Sequence, residues 1–300
     1  MSDRTADRSV RPAGFAASLL ELTKPRITIF ILMSAAVGFL FGTHLGAPWT
    51  WMRLLHTLLG TMLIAGGTAA LNQWYEREGD ALMHRTRRRP IPTGRVSAAG
   101  ALRFGVVLSA VGFLELCLGA NVLSGLLALF TLASYLFVYT PLKRVSPIST
   151  TIGAIPGAMP PLIGYAAASG HLNFEAGILF AILFLWQFPH FYAIAWMYRE
   201  DYARAGIRML PVVEPDVDST ARRILWFSLA LVPMSLAPKF FAMAGNVYLF
   251  GASVLGILVL YAGYHAASQQ TVATARRVLL ASVVYLPLLY GLLVLDGIGA

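Results

Sequence analysis

The chain has 300 residues, 57% of them hydrophobic and only 12% charged, with a formal net charge of +9 and a mean hydropathy of +0.68. Soluble domains carry about 25% charged residues, so this composition excludes a soluble enzyme and a nucleic-acid-binding domain; in so apolar a chain the surplus of bases reports membrane topology first. The single Cys117 excludes an intrachain disulfide.

The chain opens with the polar stretch "MSDRTADRSVRPAGFAASLLEL". It lacks a cleavable-signal pattern, because the first long apolar run begins only near Ile27 and is of spanning length. Asp3 and Asp7 argue against a transit peptide, which is poor in acids. Residues 1–22 are therefore expected to form a cytoplasmic tail, and 23–300 a single membrane domain. Nine apolar runs follow, at 27–44, 54–75, 98–119, 122–140, 147–168, 176–198, 221–238, 246–266 and 277–296. A bilayer core needs roughly 20 apolar residues per helix. The runs are continuous rather than alternating at period two, which excludes a membrane barrel. The expected class is an all-α, polytopic integral membrane protein. With the N-terminus inside, all of the 23 Lys and Arg except Arg53 and Lys239 fall on one side. In a bacterial inner membrane that basic side is cytoplasmic.

Between the second and third runs lies "NQWYEREGDALMHRTRRRPIPTG". Asn72, Glu76 and Asp80 are spaced i, i+4, i+8, and on a helix they stack along one side with a drift of about 40° per step. Their oxygens are the ligand type Mg²⁺ takes while sharing its shell with substrate phosphates. Arg85, Arg87, Arg88, Arg89 and Arg95 follow, and guanidinium forks match phosphate oxygens. Topology alone needs no carboxylates, so the combination points to a metal and a diphosphate. Pro90, Pro92 and Gly94 end any helix there. His84 reads as a plain loop histidine.

Further on, "YTPLKR" adds Tyr139, Lys143 and Arg144 at the same face. The fifth run, "TIGAIPGAMPPLIGY", carries Pro156, Pro160 and Pro161 and suits a broken helix. The sixth ends in "WQFPHFYAIAWMYREDYARAGIRMLPVV". Glu200 and Asp201 form a second carboxylate pair, with Arg199, Arg204 and Arg208 around it. Tyr198, Tyr202 and Trp196 suit an interfacial aromatic belt. Trp186, Phe188 and Phe191 sit deeper than a belt and suit an apolar pocket or a carbocation site. His190 has two readings, a hydrogen-bonded helix residue or a ligand-facing group at depth.

These motifs, together with "LTKPR" before the first run, resemble the UbiA-type intramembrane prenyltransferases, and among them the protoheme IX farnesyltransferase branch. The similarity runs from about residue 22 to 296. It implies a nine-helix bundle and farnesyl transfer from farnesyl diphosphate to a vinyl group of heme b, with water added. It also implies Mg²⁺ as the cofactor. On the matching positions, Asn72, Glu76, Asp80 and Asp201, with Glu200, are the metal ligands, and Tyr198 joins the catalytic set. Arg85, Arg88, Arg89, Lys143 and Arg199 are the diphosphate contacts. His190, Trp186, Phe188 and Phe191 line the heme or prenyl pocket. The partners implied are the two substrates, the bilayer and heme-handling membrane proteins. Two departures matter. Glu76 stands where many relatives carry Asp, and "YREDYARAG" lacks the four-residue acid spacing of the quinone-type enzymes. The rivals are a same-fold enzyme with a phenolic or chlorin acceptor, and a transporter or heme carrier with a midplane site.

Overall fold

The computed structural model describes residues 14–43 and 50–297, and every regular element among them is helical. In chain order these are α1 (Phe15–Leu22), α2 (Pro25–Thr43), α3 (Trp51–Tyr75), α4 (Arg77–Leu82), α5 (Ala98–Gly119), α6 (Val122–Ala133), a π-helical turn (Ser134–Tyr139) and α7 (Thr140–Leu142). They continue with α8 (Ser149–Gly157), α9 (Pro160–Ser169), α10 (Phe174–Met197), α11 (Arg199–Arg204), α12 (Leu210–Val213), α13 (Asp218–Phe240), α14 (Asn246–Gln269) and α15 (Val272–Gly297). Caps set several starts: Thr50, Ser97, Asn121 and Asn173 each accept a backbone N–H from the first turn of the helix that follows.

Among the described residues, seven helical stretches are long and apolar enough to cross a membrane: α2, α3, α5, Val122–Leu142, α10, α14 and α15. The fifth expected span is instead two short helices. They part at Ala158–Met159, between Pro156 inside α8 and the Pro160–Pro161 pair that starts α9. Buried Gln187 donates to the Ala154 carbonyl at 3.0 Å beside this break. The seventh is the single helix α13, with arginines near its start and Pro233 and Pro238 inside it.

Apolar surface gains little by leaving lipid for protein, so close backbone approach and interhelical hydrogen bonds hold such a bundle, the bonds averaging roughly 0.6 kcal/mol each. Glycines allow the approach. A Cβ at Gly38 of α2 would overlap the Pro161 carbonyl of α9, and one at Gly164 would overlap the Ala35 carbonyl. Across the bundle, Trp186 donates its indole N–H to the Ser282 carbonyl at 2.8 Å, joining α10 to α15.

Part of the expected tail is structured. Residues 1–13, with Arg4, Arg8 and Arg11, lie outside the described residues. Residues 15–22 form α1, whose Leu22 is fully buried and whose Leu22 carbonyl accepts from Gln73 of α3 at 2.9 Å. Arg95 fastens the same helix, pairing with Glu21 at 2.7 Å. That contact takes Arg95 out of the group that faces the cleft described below.

Candidate active site

The ends of α3, α7 and α10 meet at one end of the bundle, and the three charged segments meet with them. α3 stops at Tyr75, and Glu76, with φ −90° and ψ 6°, separates it from α4. The helical spacing survives the break, because Glu76 N–H donates to the Asn72 carbonyl at 2.9 Å and Asp80 N–H to the Glu76 carbonyl at 2.8 Å. Asn72, Glu76 and Asp80 therefore still share one side. All three line a cleft of about 300 Å³.

Each of them faces a base. Lys24 Nζ donates to Asn72 Oδ1 at 3.2 Å, and Asn72 Nδ2 donates to Glu76 Oε2 at 3.0 Å. Lys143 pairs with Glu76 Oε1 at 2.9 Å, and Arg89 with Asp80 Oδ2 at 2.7 Å. Asp80 is 1% exposed, and its second oxygen, Oδ1, is buried without a hydrogen-bond partner. An unpartnered buried acceptor costs about 1–3 kcal/mol.

The charges perturb one another. Burial opposes the Lys143 charge, yet the Glu76 carboxylate holds its ammonium well above the usual lysine range. Burial likewise opposes ionisation of Glu76, but Lys143, Lys24 and the Asn72 amide together hold its carboxyl below the ordinary value. Lys24 goes the other way: burial, then the nearby Arg89 charge, bring it down to about 7. Its backbone is unusual too, with φ +50° immediately before Pro25. That left-handed conformation costs a non-glycine residue of order 1–3 kcal/mol.

Local backbone places the remaining bases. Pro141 of α7 has no N–H to donate, and the π turn Ser134–Tyr139 directly precedes α7. π turns are common at functional sites. This one sets the Tyr139 and Tyr135 rings 4.4 and 5.9 Å from Lys143 Nζ. Arg85 stands at the cleft with its guanidinium 4.9 Å from the Tyr198 ring and 5.3 Å from the Tyr202 ring. The Tyr202 hydroxyl accepts from Arg85 Nη2 at 3.1 Å. The second and third segments also join, as Arg208 N–H donates to the Lys143 carbonyl at 2.7 Å.

Several expected site residues stand elsewhere. Asp201 is brought to the first loop, but Oδ1 accepts the His84 N–H and Oδ2 the Arg85 N–H, both at 3.1 Å, and Arg204 pairs with Oδ1 as well. Both Asp201 oxygens thus accept from the first loop, and the side chain does not line the cleft where Asn72, Glu76 and Asp80 stand. Glu200, next to it, is exposed and does not line the cleft. Arg88 and Arg199 are exposed and outside the lining as well. Of the expected pocket rings, Phe191 lines the cleft. Phe188 packs in the core, stacked on Phe227 at 3.8 Å, and Trp186 stacks on His190 at 4.8 Å. His190 Nδ1 lies 2.9 Å from Ser282 Oγ, in keeping with the helix-residue reading. A second groove of about 330 Å³, near the start of α10, has no charged lining and holds nothing to grip a phosphate. Lys24 and Tyr135 are the polar cleft residues beside the charge cluster that the sequence reading left without a role, and apolar lining such as Met83, Ile194 and Met209 was unassigned too. "LTKPR" was the available signal for Lys24, but a lysine ahead of a span also serves topology.

Residues 31–286 match the UbiA prenyltransferase family. A protein of Solibacter usitatus named protoheme IX farnesyltransferase is 60% identical over 287 residues, covering 93% of this chain and 98% of its own. Its namesake in Koribacter versatilis is 47% identical over 307 residues, covering 99% of each. Among solved structures, a digeranylgeranylglyceryl phosphate synthase aligns with a TM-score of 0.78 at 18% identity, over 95% of this chain and 99% of its own. A UbiA homologue from Archaeoglobus fulgidus, bound to GPP and Mg²⁺, aligns at 0.65 and 16% identity, over 92% and 99%. At these identities the structural likeness establishes the fold.

Proposed function

Because the chain belongs to the UbiA prenyltransferase family, we infer that it transfers the farnesyl group of farnesyl diphosphate to a vinyl group of heme b. Water is added in the same reaction, and the products are heme O and diphosphate. The reading is supported by relatives that carry this name over almost the whole chain. They weigh against a phenolic or chlorin acceptor. The structural observation that carries it is a single cleft in which Asn72, Glu76 and Asp80 face Lys24, Arg89 and Lys143. A carrier with a midplane site has no use for such a cluster at one end of the bundle.

The donors suit Mg²⁺. Two carboxylates and an amide offer hard oxygen ligands short of a full cage, which is how Mg²⁺ is held beside substrate phosphates. The unpartnered Asp80 Oδ1 is an acceptor free to take such an ion. Asn72, Glu76 and Asp80 would hold it, and when bound it neutralises charge on the departing diphosphate.

The chain's own side chains supply the rest. The difficult event is cleavage of an allylic carbon–oxygen bond, whose electron pair leaves with the diphosphate. Lys24, Arg85, Arg89 and Lys143 line the space where that charge collects; ion pairs to Asp80 and Glu76 hold Arg89 and Lys143 in place beforehand, and hydrogen bonds to Asn72 and Tyr202 hold Lys24 and Arg85. Preplaced cations stabilise developing charge without reorganising when the bond breaks. Ile27, Met83, Phe191, Ile194, Ala195, Ile207 and Met209 form the apolar part of the lining, suited to the first isoprene units and to keeping water from the allylic cation. A new carbon–carbon bond joins that cation to the vinyl group. The cation left beside the porphyrin takes hydroxide from water and releases a proton. The distribution of Lys and Arg supports the reading that the basic end of this multi-pass membrane protein and its N-terminus face the cytoplasm, which in a bacterium makes the inner membrane its site.

The test is to supply purified protein with farnesyl diphosphate, heme b and Mg²⁺ and to analyse the extracted pigments. Heme O and an equal amount of diphosphate are expected. Prenylation of a phenolic acceptor with heme b unchanged would reject the acceptor assignment.

A further inference from the structure

We propose that Asp201 is a positioning residue: it latches the arginine turn of the first loop onto the second and so fixes where the Arg85 guanidinium stands at the cleft. The proposal rests on the reading of the cleft as a diphosphate site.

Three features converge on it. First, the Asp201 side chain is 9% exposed, and its two oxygens accept the N–H groups of two consecutive residues, His84 and Arg85, at 3.1 Å each. Two adjacent donors need two acceptors. A carboxylate offers both, whereas an asparagine would turn an NH₂ toward one of them. Second, the same short helix that carries Asp201 also holds the Arg85 side chain. Tyr202 accepts from Nη2, and the Tyr198 and Tyr202 rings lie against the guanidinium. Arg85 is thus gripped at backbone and side chain by residues 198–202, more than a hundred positions away in sequence. Third, Arg85 lines the cleft while Asp201 does not. The carboxylate acts on the site through the arginine. Arg204, paired with the same carboxylate, balances its charge from the outer side.

A latch and a metal ligand have different signatures. The probe is the full-length purified enzyme with a non-hydrolysable thiolo analogue of farnesyl diphosphate, followed by equilibrium binding, together with KM, kcat and a Mg²⁺ titration. For D201N the analogue's Kd and the KM for farnesyl diphosphate are expected to rise about tenfold, as for loss of a charge-assisted contact. The Mg²⁺ concentration for half-maximal rate stays within about twofold, since no ligand to the ion is removed. D201N added to R85A changes Kd by less than about twofold, because both remove one interaction, and D201E recovers part of the loss. A Mg²⁺ requirement raised tenfold or more by D201N, or effects of D201N and R85A that multiply, would overturn the latch. Should D201N fail to fold, Y202F reports instead, with a smaller rise in Kd that vanishes in the R85A background; a rise that persists there also overturns the proposal. If wild-type protein does not bind the analogue at all, the diphosphate reading itself fails, which is a separate outcome.

Discussion

The first charged loop, Asn72 to Arg95, turns two of its three acids and two of its bases inward, so that Glu76, Asp80, Arg85 and Arg89 all line the cleft, while Glu78 is exposed and pairs with Arg77. The second, Tyr198 to Arg208, is built from the same residue types, yet it sends only Tyr202 and Ile207 into the lining. Spacing accounts for the difference. Acids four residues apart return to one helix face, whereas neighbours such as Glu200 and Asp201 are about 100° apart. Only one of that pair can face inward, and Asp201 meets the backbone of the first loop while Glu200 meets solvent. In the function proposed above, one loop supplies the charge that meets the diphosphate, and the other holds it in place.

The strongest way to break this contrast is to remove an acid from the first loop. Asp80→Asn or Glu76→Gln should lower heme O formation by about a hundredfold or more, the scale of losing charge stabilisation at a transition state, with the protein still inserted and monodisperse. Near-normal turnover by either variant would dissolve the distinction. A medium effect comes from Lys24. Free Lys24 titrates at about 7, and a bound diphosphate favours its ammonium form and raises that value. Between the two values binding takes up a proton, so affinity for a diphosphate analogue falls as pH rises above about 7, by up to about tenfold per unit. Lys24→Arg stays charged and should flatten the profile; an unchanged profile in that variant would assign the titration elsewhere. The smallest effect belongs to the second loop's outward residues. Glu200→Gln and Arg199→Gln should leave kcat and KM within about twofold, as for surface substitutions of roughly 0.5 kcal/mol. A large loss in steady-state kinetics would return Glu200 to the site.

Much of this plan is legible in the sequence because it rests on local pattern. Each expected run overlaps a described helix, since apolar length is the only signal that a spanning helix needs. The Asn72, Glu76 and Asp80 stripe is equally legible, as a period of four is written in the chain itself. Long-range partnership is not. Nothing near Asp201 announces that His84 and Arg85 offer it two amides. Likewise Phe188 and Phe191 are equally aromatic, and only the position of Phe227 on α13 separates core from lining. The structured α1 was hidden by its polar surroundings, because what orders it is contact with Gln73 and Arg95. The π turn before Pro141 leaves no periodic trace over six residues.

An experimental structure of the protein with a farnesyl diphosphate analogue and Mg²⁺ bears on the cleft most directly. Both phosphorus atoms should lie within the ring formed by Asn72, Glu76, Asp80, Arg85, Arg89 and Lys143, with Asp201 still bonded to the His84 and Arg85 amides. Diphosphate bound instead beside Glu200 and Arg199, or metal density on Asp201, would contradict the division of labour between the two loops.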